Sequence, residues 1–234
     1  MSNVLNAISG SQKFFMDNDK NKLIVNLSVE KRFGNEIRKI WDEVKFNSIA
    51  LKNRGFAVQN YIELNSLMFI GINPSYNDIP GNFFYDDSHT ETHKYFKKFI
   101  EISSEVGLNW SHLDLLFLRV TNQKEVKSLG ENNLGHIFYD EQLKISKKII
   151  ETTKPKIIVV NNTYARDLLH SQSFTTPKYD LKFDEIIGTE RVVNNENLNG
   201  VPVFFTSMLT GQRALDLGSY KRLIWHIKYV MKMI

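Results

Sequence analysis

The stretch LMFIGINPSY, residues 67–76, decides the fold of this chain. It opens with an uninterrupted apolar run, Leu67 to Ile70, which is typical of a strand buried on both faces. A glycine, an asparagine and a proline follow at once, and they predict a turn at the carboxyl end of that strand. Gly71 permits close approach of a ligand to the backbone, and Asn73 is held at the strand end. An ordinary turn would have the same composition, so the residues around this stretch must decide whether it forms a pocket.

Three more short apolar runs follow, and the stretches between them have helical spacing. The runs are Leu113–Leu118, Ile157–Val160 and Val203–Phe205. Helical patterns lie at about residues 90–106, 140–153 and 163–170, and a closing helix, residues 220–233, starts behind Ser219. This alternation predicts a three-layer α/β/α sandwich with a central four-stranded parallel sheet, whose ligands bind at the carboxyl ends of the strands. Residues 179–193 predict an antiparallel hairpin before the last strand.

The pattern of polar and apolar residues divides the chain into two parts. Residues 1–22 are polar and weakly patterned, whereas residues 29–46 have the apolar spacing of an amphipathic helix behind Ser28 as the N-cap. We therefore expect residues 1–60 to form an N-terminal helical extension packed on the core. We expect residues 61–234 to form the α/β domain.

Composition limits the possible chemistry. The chain has no cysteine, which excludes disulfides, a thiolate nucleophile and cysteine-ligated zinc or iron–sulfur clusters. A net charge of +4 slightly favours a polyanionic partner such as nucleic acid. The sequence shows neither a secretory signal nor an apolar run long enough for a membrane span, so we expect a cytoplasmic protein. We also expect a monomer that needs no cofactor or metal.

A strand ending in Gly-Ile-Asn-Pro, here Gly71 to Pro74, resembles the first active-site motif of the uracil-DNA glycosylase superfamily, in its mismatch-specific and single-strand-selective branches. The phrase Pro155-Lys-Ile-Ile-Val-Val160, followed by Tyr164-Ala165 and Leu168-Leu169, is similar to that superfamily's third strand and helix. Order and spacing agree over about residues 65–234. The resemblance implies a uracil-DNA glycosylase-like fold.

The resemblance also implies roles for individual residues. Asn73 would position the attacking water, and the base would lie against residues of the first motif and of an aromatic loop. These base-binding residues are Gly71, Ile72, Pro74, Ser75, Phe84, Tyr85 and Asn122. The loop after the last strand would bind DNA phosphates through hydroxyls and an arginine, with Leu209 as an apolar wedge. Its residues are Thr206, Ser207, Leu209, Thr210 and Arg213.

Two departures from the family pattern affect base choice and catalysis. The position of the superfamily's pyrimidine-reading asparagine falls at Phe117, which leaves Arg119 or Asn122 as substitutes. The loop after the last strand, residues 206–213, contains no histidine, so it fits phosphate binding better than catalysis.

The resulting hypothesis is a monofunctional DNA glycosylase that hydrolyses the N-glycosidic bond of a damaged or mismatched base, uracil or similar, flipped out of single- or double-stranded DNA. Two alternatives remain open: a non-catalytic nucleic-acid-binding protein with the same fold, and a hydrolase of free nucleosides or nucleotides. A metal site at Asp86, Asp87, His89 and His93 is a weaker alternative, because such clusters are usually solvated.

Overall fold

The computed structural model describes residues 12–16, 23–86, 93–170, 179–211 and 214–234. Its strands are β1 (Gln12–Met16), β2 (Leu23–Ser28), β3 (Ala57–Gln59), β4 (Tyr61–Glu63), β5 (Leu67–Gly71), β6 (Phe83–Tyr85), β7 (Trp110–Asp114), β8 (Ile157–Val160), β9 (Leu181–Asp184), β10 (Thr189–Val192) and β11 (Pro202–Phe205). Its α-helices are α1 (Val29–Asp42), α2 (Lys97–Val106), α3 (Gln123–Glu131), α4 (Asn133–Thr153), α5 (Thr163–His170) and α6 (Leu217–Met231). Two short 3₁₀ helices, Val44–Phe46 and Ala50–Arg54, follow α1.

The central sheet has six strands in the order β7-β5-β8-β11-β10-β9. The first four pair in parallel, as the apolar runs predict. Strands β9 and β10 form the predicted antiparallel hairpin, and β10 joins the sheet through β11. The four-stranded sheet of the prediction is therefore the parallel part of a larger, mostly parallel sheet.

Helices cover both faces of this sheet, because alternate strand residues point to opposite sides. Met68, Ile70 and Val160 belong to one apolar cluster, together with buried residues of α1, α4 and α5. Phe69 and Val159 belong to a second cluster with buried residues of α2 and α6. The molecule is therefore an α/β sandwich.

The first 60 residues contain strands as well as a helix. Helix α1 packs on α4 and buries Ile37 and Trp41 in the first cluster. Strand β2 pairs with β1 and β4, and β3 pairs in parallel with β6, so that Ala57 lies opposite Phe83. Through β3, this segment reaches the carboxyl edge of the central sheet.

Helix boundaries differ from the sequence prediction where polar side chains cap the ends. Ser28 caps α1 as predicted, since its side chain accepts a hydrogen bond from the Lys31 amide, but the helix ends at Asp42 rather than at Phe46. Helix α4 begins earlier than predicted, because the Asn132 side chain accepts from the amides of Leu134 and Gly135. Asp216 rather than Ser219 caps α6. In the residues that the structure describes, no helix is both long and apolar enough to cross a membrane.

Candidate active site

A cavity of about 710 Å³ opens at the carboxyl ends of β5, β7 and β8. Strand β5 lies between β7 and β8, so the chain connects β5 to a neighbour on one side and then crosses to place β8 on its other side. In open α/β sheets, ligands bind at the carboxyl ends of the strands where the strand order reverses in this way. Its walls come from the loop after β5, strand β6, the segment before α2 and the loop after β11. Its polar lining includes Asn73, Tyr85, Tyr95, His112, Asp114 and Asn161.

The floor of the cavity is formed by His112, Asp114 and Asn161, and Gly71 lies between Asp114 and Asn161 on the middle strand. Gly71 pairs with Asp114 across β5 and β7. On the other side, the Asn161 amide donates to the carbonyl of Ile70, which places Asn161 beside Gly71 at the end of β8. A Cβ on Gly71 would lie 2.2 Å from Asp114 Oδ1, so only glycine leaves room for this carboxyl. The first motif needs its glycine because the carboxyl approaches the backbone so closely.

Asp114 and His112 form a buried pair on the same face of β7. The Asp114 side chain is 11% exposed, and its Oδ1 lies 3.5 Å from Nε2 of His112. Burial raises the pKa of the Asp114 carboxyl to about 7 and lowers the pKa of the His112 imidazole to about 3. At neutral pH the histidine is therefore neutral, and the carboxyl is close to its own midpoint.

Several buried polar atoms of this floor make no hydrogen bond within the part of the chain that the structure describes. They are both ring nitrogens of His112 and the side-chain oxygen of Asn161. The side-chain Nδ2 of Asn161 donates a hydrogen bond to the Tyr95 hydroxyl, with a distance of 3.3 Å between the two atoms. Burial, strengthened by the nearby Asp114 carboxyl, raises the pKa values of Tyr85 and Tyr95, so both hydroxyls remain protonated. Since buried polar groups are normally satisfied, the floor is suited to a polar ligand.

Asn73 ties the loop after β5 to the segment after β7. Its amide nitrogen donates to the carbonyls of Pro74 (2.9 Å), Leu118 (3.3 Å) and Val120 (2.6 Å). These three acceptors fix the orientation of the amide. Asn73 lines the cavity, and its side-chain oxygen can accept a hydrogen bond from water or a ligand.

Arg119 anchors the loop of residues 75–82. Its guanidinium donates to the carbonyls of Ile79 (2.7 Å) and Arg54 (3.3 Å) and to the Asn77 side chain. It also lies over the rings of Tyr76 and Phe83. With its donors used in this way, Arg119 is a structural anchor rather than a base reader.

The other predicted base-binding residues separate into two groups. Ile72, Pro74, Ser75, Phe84 and Tyr85 line the cavity. Gly71 does not line it, but lies against the Asp114 side chain of its floor. Asn122 does not line it; its side chain caps α3 by accepting from the Lys124 amide.

Phe117, at which the family resemblance places the pyrimidine-reading position, does not line the cavity. It is fully buried in the first apolar cluster, and its amide donates to the side chain of Gln142 on α4. Strand β7 ends at Asp114, so the polar residue that this strand presents to the cavity is Asp114.

The loop after β11 reaches the same cavity through Met208, which lies with Asn73 in its lining. Thr206 and Thr210 are half-buried and Ser207 is exposed. Leu209 is 4% exposed in the second apolar cluster, so it does not project as a wedge; the loop's apolar side chain at the cavity is Met208. Arg213 lies outside the described residues.

The metal alternative gains no support from the part of the chain that the structure describes. No group of three or more potential ligands of the His, Asp and Glu types occurs there. Asp87 and His89 lie outside the described residues, and His93 is an exposed residue of the cavity wall.

Reasoning from sequence missed His112, Asp114, Tyr95 and Asn161. One signal was available: His112 and Asp114 alternate within an apolar strand, and a polar residue in such a strand is unusual unless it serves a site. Asn161 likewise follows a fully apolar run directly, as Asn73 nearly does.

Neither the protein-family models nor the curated proteins include a match to this chain.

Proposed function

We propose that the protein hydrolyses the N-glycosidic bond of a damaged or mismatched base that is extruded from DNA into the cavity at the sheet edge. The observation that carries this proposal is the combination of flat aromatic walls with a polar, partly unpartnered floor. Phe84, Tyr85 and Tyr95 supply the rings, and Asp114, His112 and Asn161 supply the floor.

The dimensions of the cavity suit this ligand. A volume of about 710 Å³ falls within the usual range for small-molecule sites and leaves space for a base together with its sugar. Aromatic side chains stack on the faces of bases, and polar groups read their edges.

Asn73 has a defined task in this reaction. Its side-chain oxygen accepts a hydrogen bond from the water that adds to C1′ of the sugar, as the bond to the base breaks and its electron pair passes to the base. Asn73 is neutral and so is not a strong general base; its contribution is to fix the position of the water.

The test is a panel of oligonucleotides that contain uracil, hypoxanthine, xanthine or mismatches, assayed for alkali-labile abasic sites. We expect excision of at least one base by the unmodified protein. Asn73→Ala should lower the single-turnover rate about a hundredfold, the usual effect of losing one positioned polar group.

Asn122→Ala is the matched control, because Asn122 is a nearby asparagine that caps α3 outside the cavity lining. It should retain the excision rate within a few-fold. Absence of excision on every base, or wild-type excision by Asn73→Ala, contradicts the proposal.

The burial of Leu209 favours one alternative, a hydrolase of free nucleosides or nucleotides, since such an enzyme needs no wedge to open a duplex. Incubation with free nucleosides and nucleotides, followed by chromatography of the released base, distinguishes this alternative from the DNA glycosylase. Release from monomers but not from oligonucleotides would favour this second function.

A further inference from the structure

We propose that Asp114 is the general acid of the site and protonates the departing base as the glycosidic bond breaks. This inference rests on the proposed function and assigns the proton that the reaction needs. Asp114 faces the cavity from the carboxyl end of β7, and Asn73 faces it from the loop after β5. A base between them has its leaving nitrogen or a carbonyl oxygen within reach of a carboxyl, while water reaches the sugar from Asn73.

The surroundings of Asp114 favour the protonated form of its carboxyl. Within the described residues, no lysine or arginine forms an ion pair with it, and Nε2 of His112 lies 3.5 Å from its Oδ1 on the same strand. Tyr85 on β6 and Tyr95 before α2 face it as neutral phenols. Strand β5 contributes Gly71, and the end of β8 contributes Asn161, neither of which titrates.

Among the described residues, two other ionisable side chains line the cavity. Arg119 directs its guanidinium to the backbone carbonyls of the loop that it anchors, and His93 lies exposed on the wall. Burial raises the pKa of Asp114 to about 7, and no salt bridge from a lysine or arginine of the described residues opposes this rise. A general acid works best with a pKa near the operating pH, and a buried carboxyl without a cation achieves this.

The proton balance closes without any other reactant. The C1′–N bond breaks, its electron pair goes to the base, and the Asp114 proton transfers to the same base. The water that adds to C1′ releases one proton to solvent, and the Asp114 carboxylate takes up one proton from solvent, so the net reaction consumes one water. Base and abasic sugar leave, and the carboxyl is again protonated.

A general acid also predicts which substrates depend on it most. A base that leaves poorly as an anion gains more from protonation than one that leaves well. An electron-withdrawing fluorine makes 5-fluorouracil a better leaving group than uracil. The loss caused by removing the acid should therefore be smaller for 5-fluorouracil than for uracil.

The experiment measures single-turnover excision between pH 5.5 and 9 for the unmodified protein and for Asp114→Asn, on the best substrate of the panel. The wild-type rate should fall about tenfold for each pH unit above about 7, where Asp114 loses its proton. Asp114→Asn should be about a hundredfold slower at pH 6, and its rate should no longer fall above pH 7. The paired comparison of uracil with 5-fluorouracil should show the smaller defect for 5-fluorouracil.

A binding measurement separates catalysis from structure. The probe is an oligonucleotide with a 2′-fluorinated substrate nucleotide, in which the fluorine suppresses bond cleavage. Asp114→Asn should bind it within about threefold of wild type, whereas a merely structural role predicts parallel losses of binding and rate. A wild-type rate that stays level up to pH 9, or an equal defect for both bases, overturns the role of Asp114 alone. Absence of any excision by the wild type overturns it together with the proposed function.

Discussion

Gly71 illustrates how one residue shapes the site. Its missing side chain leaves the space that Asp114 Oδ1 occupies, and a Cβ there would also lie 3.3 Å from His112 Nε2. Asp114 is thus held against the backbone of β5 at the floor of the cavity. Gly71 is not among the glycines of the described chain that have a positive φ angle. A glycine is therefore needed here for the close contact with Asp114 and not for an unusual backbone conformation.

Gly71→Ala should therefore destabilise the protein through its clash with Asp114. We expect a loss of about 1–3 kcal/mol in the free energy of unfolding, the usual cost of overpacking a core, measured by urea denaturation. In an Asp114→Ala background the same change should cost clearly less, because the clashing carboxyl is gone. Equal costs in the two backgrounds would show that the two residues are not coupled.

At the scale of the elements, strand β7 shows what local sequence can and cannot give. The apolar run Leu113–Leu118 predicts a strand, but β7 is Trp110–Asp114. Residues beyond it are apolar for another reason: the amides of Leu115 and Leu116 donate to the carbonyls of Gly71 and Ile72, so the chain stays buried beside the loop after β5. Because the predicted strand continued to Leu118, its pocket-facing position was placed at Phe117 and not at Asp114, where β7 ends.

The other parallel strands and the hairpin were predictable, because each is a continuous local run bounded by turn residues. Helix starts were less predictable where an asparagine or aspartate cap lies outside the apolar pattern, as Asn132 and Asp216 do. The direction of Leu209 could not be read locally, since its burial depends on the packing of α6 and on Phe204 in β11.

The loop after β11 gives a prediction at this scale. Leu209→Ala should destabilise the protein by about 2–5 kcal/mol, because it removes a fully packed leucine, and it should not weaken extrusion of a paired base selectively. Met208→Ala is the control, since Met208 is half-buried at the cavity. Thermal or urea unfolding of both variants, with excision from paired and single-stranded substrates, is the measurement. A stable Leu209→Ala protein with a defect confined to duplex substrates would instead support the wedge.

At the scale of the whole molecule, the cavity is assembled from distant parts of the chain. Ala57 from the N-terminal 60 residues lines it, next to β6, whose Phe84 packs on Phe56 and under the Arg38 guanidinium. The predicted division at residue 60 therefore runs through the wall of the site. The pairing of β3 with β6 is a long-range contact between very short strands, and no local sequence pattern predicts it.

The central claim is that base excision occurs in this cavity, and inhibition by the released base tests it most directly. The free base that the protein excises, added in increasing concentration, should compete with the oligonucleotide and reduce abasic-site formation. Asn73→Ala should lower the excision rate about a hundredfold. In Asp114→Asn, the free base should still compete with a 2′-fluorinated oligonucleotide for binding. Excision that resists both the free base and Asn73→Ala would show that the reaction takes place elsewhere and would contradict the account.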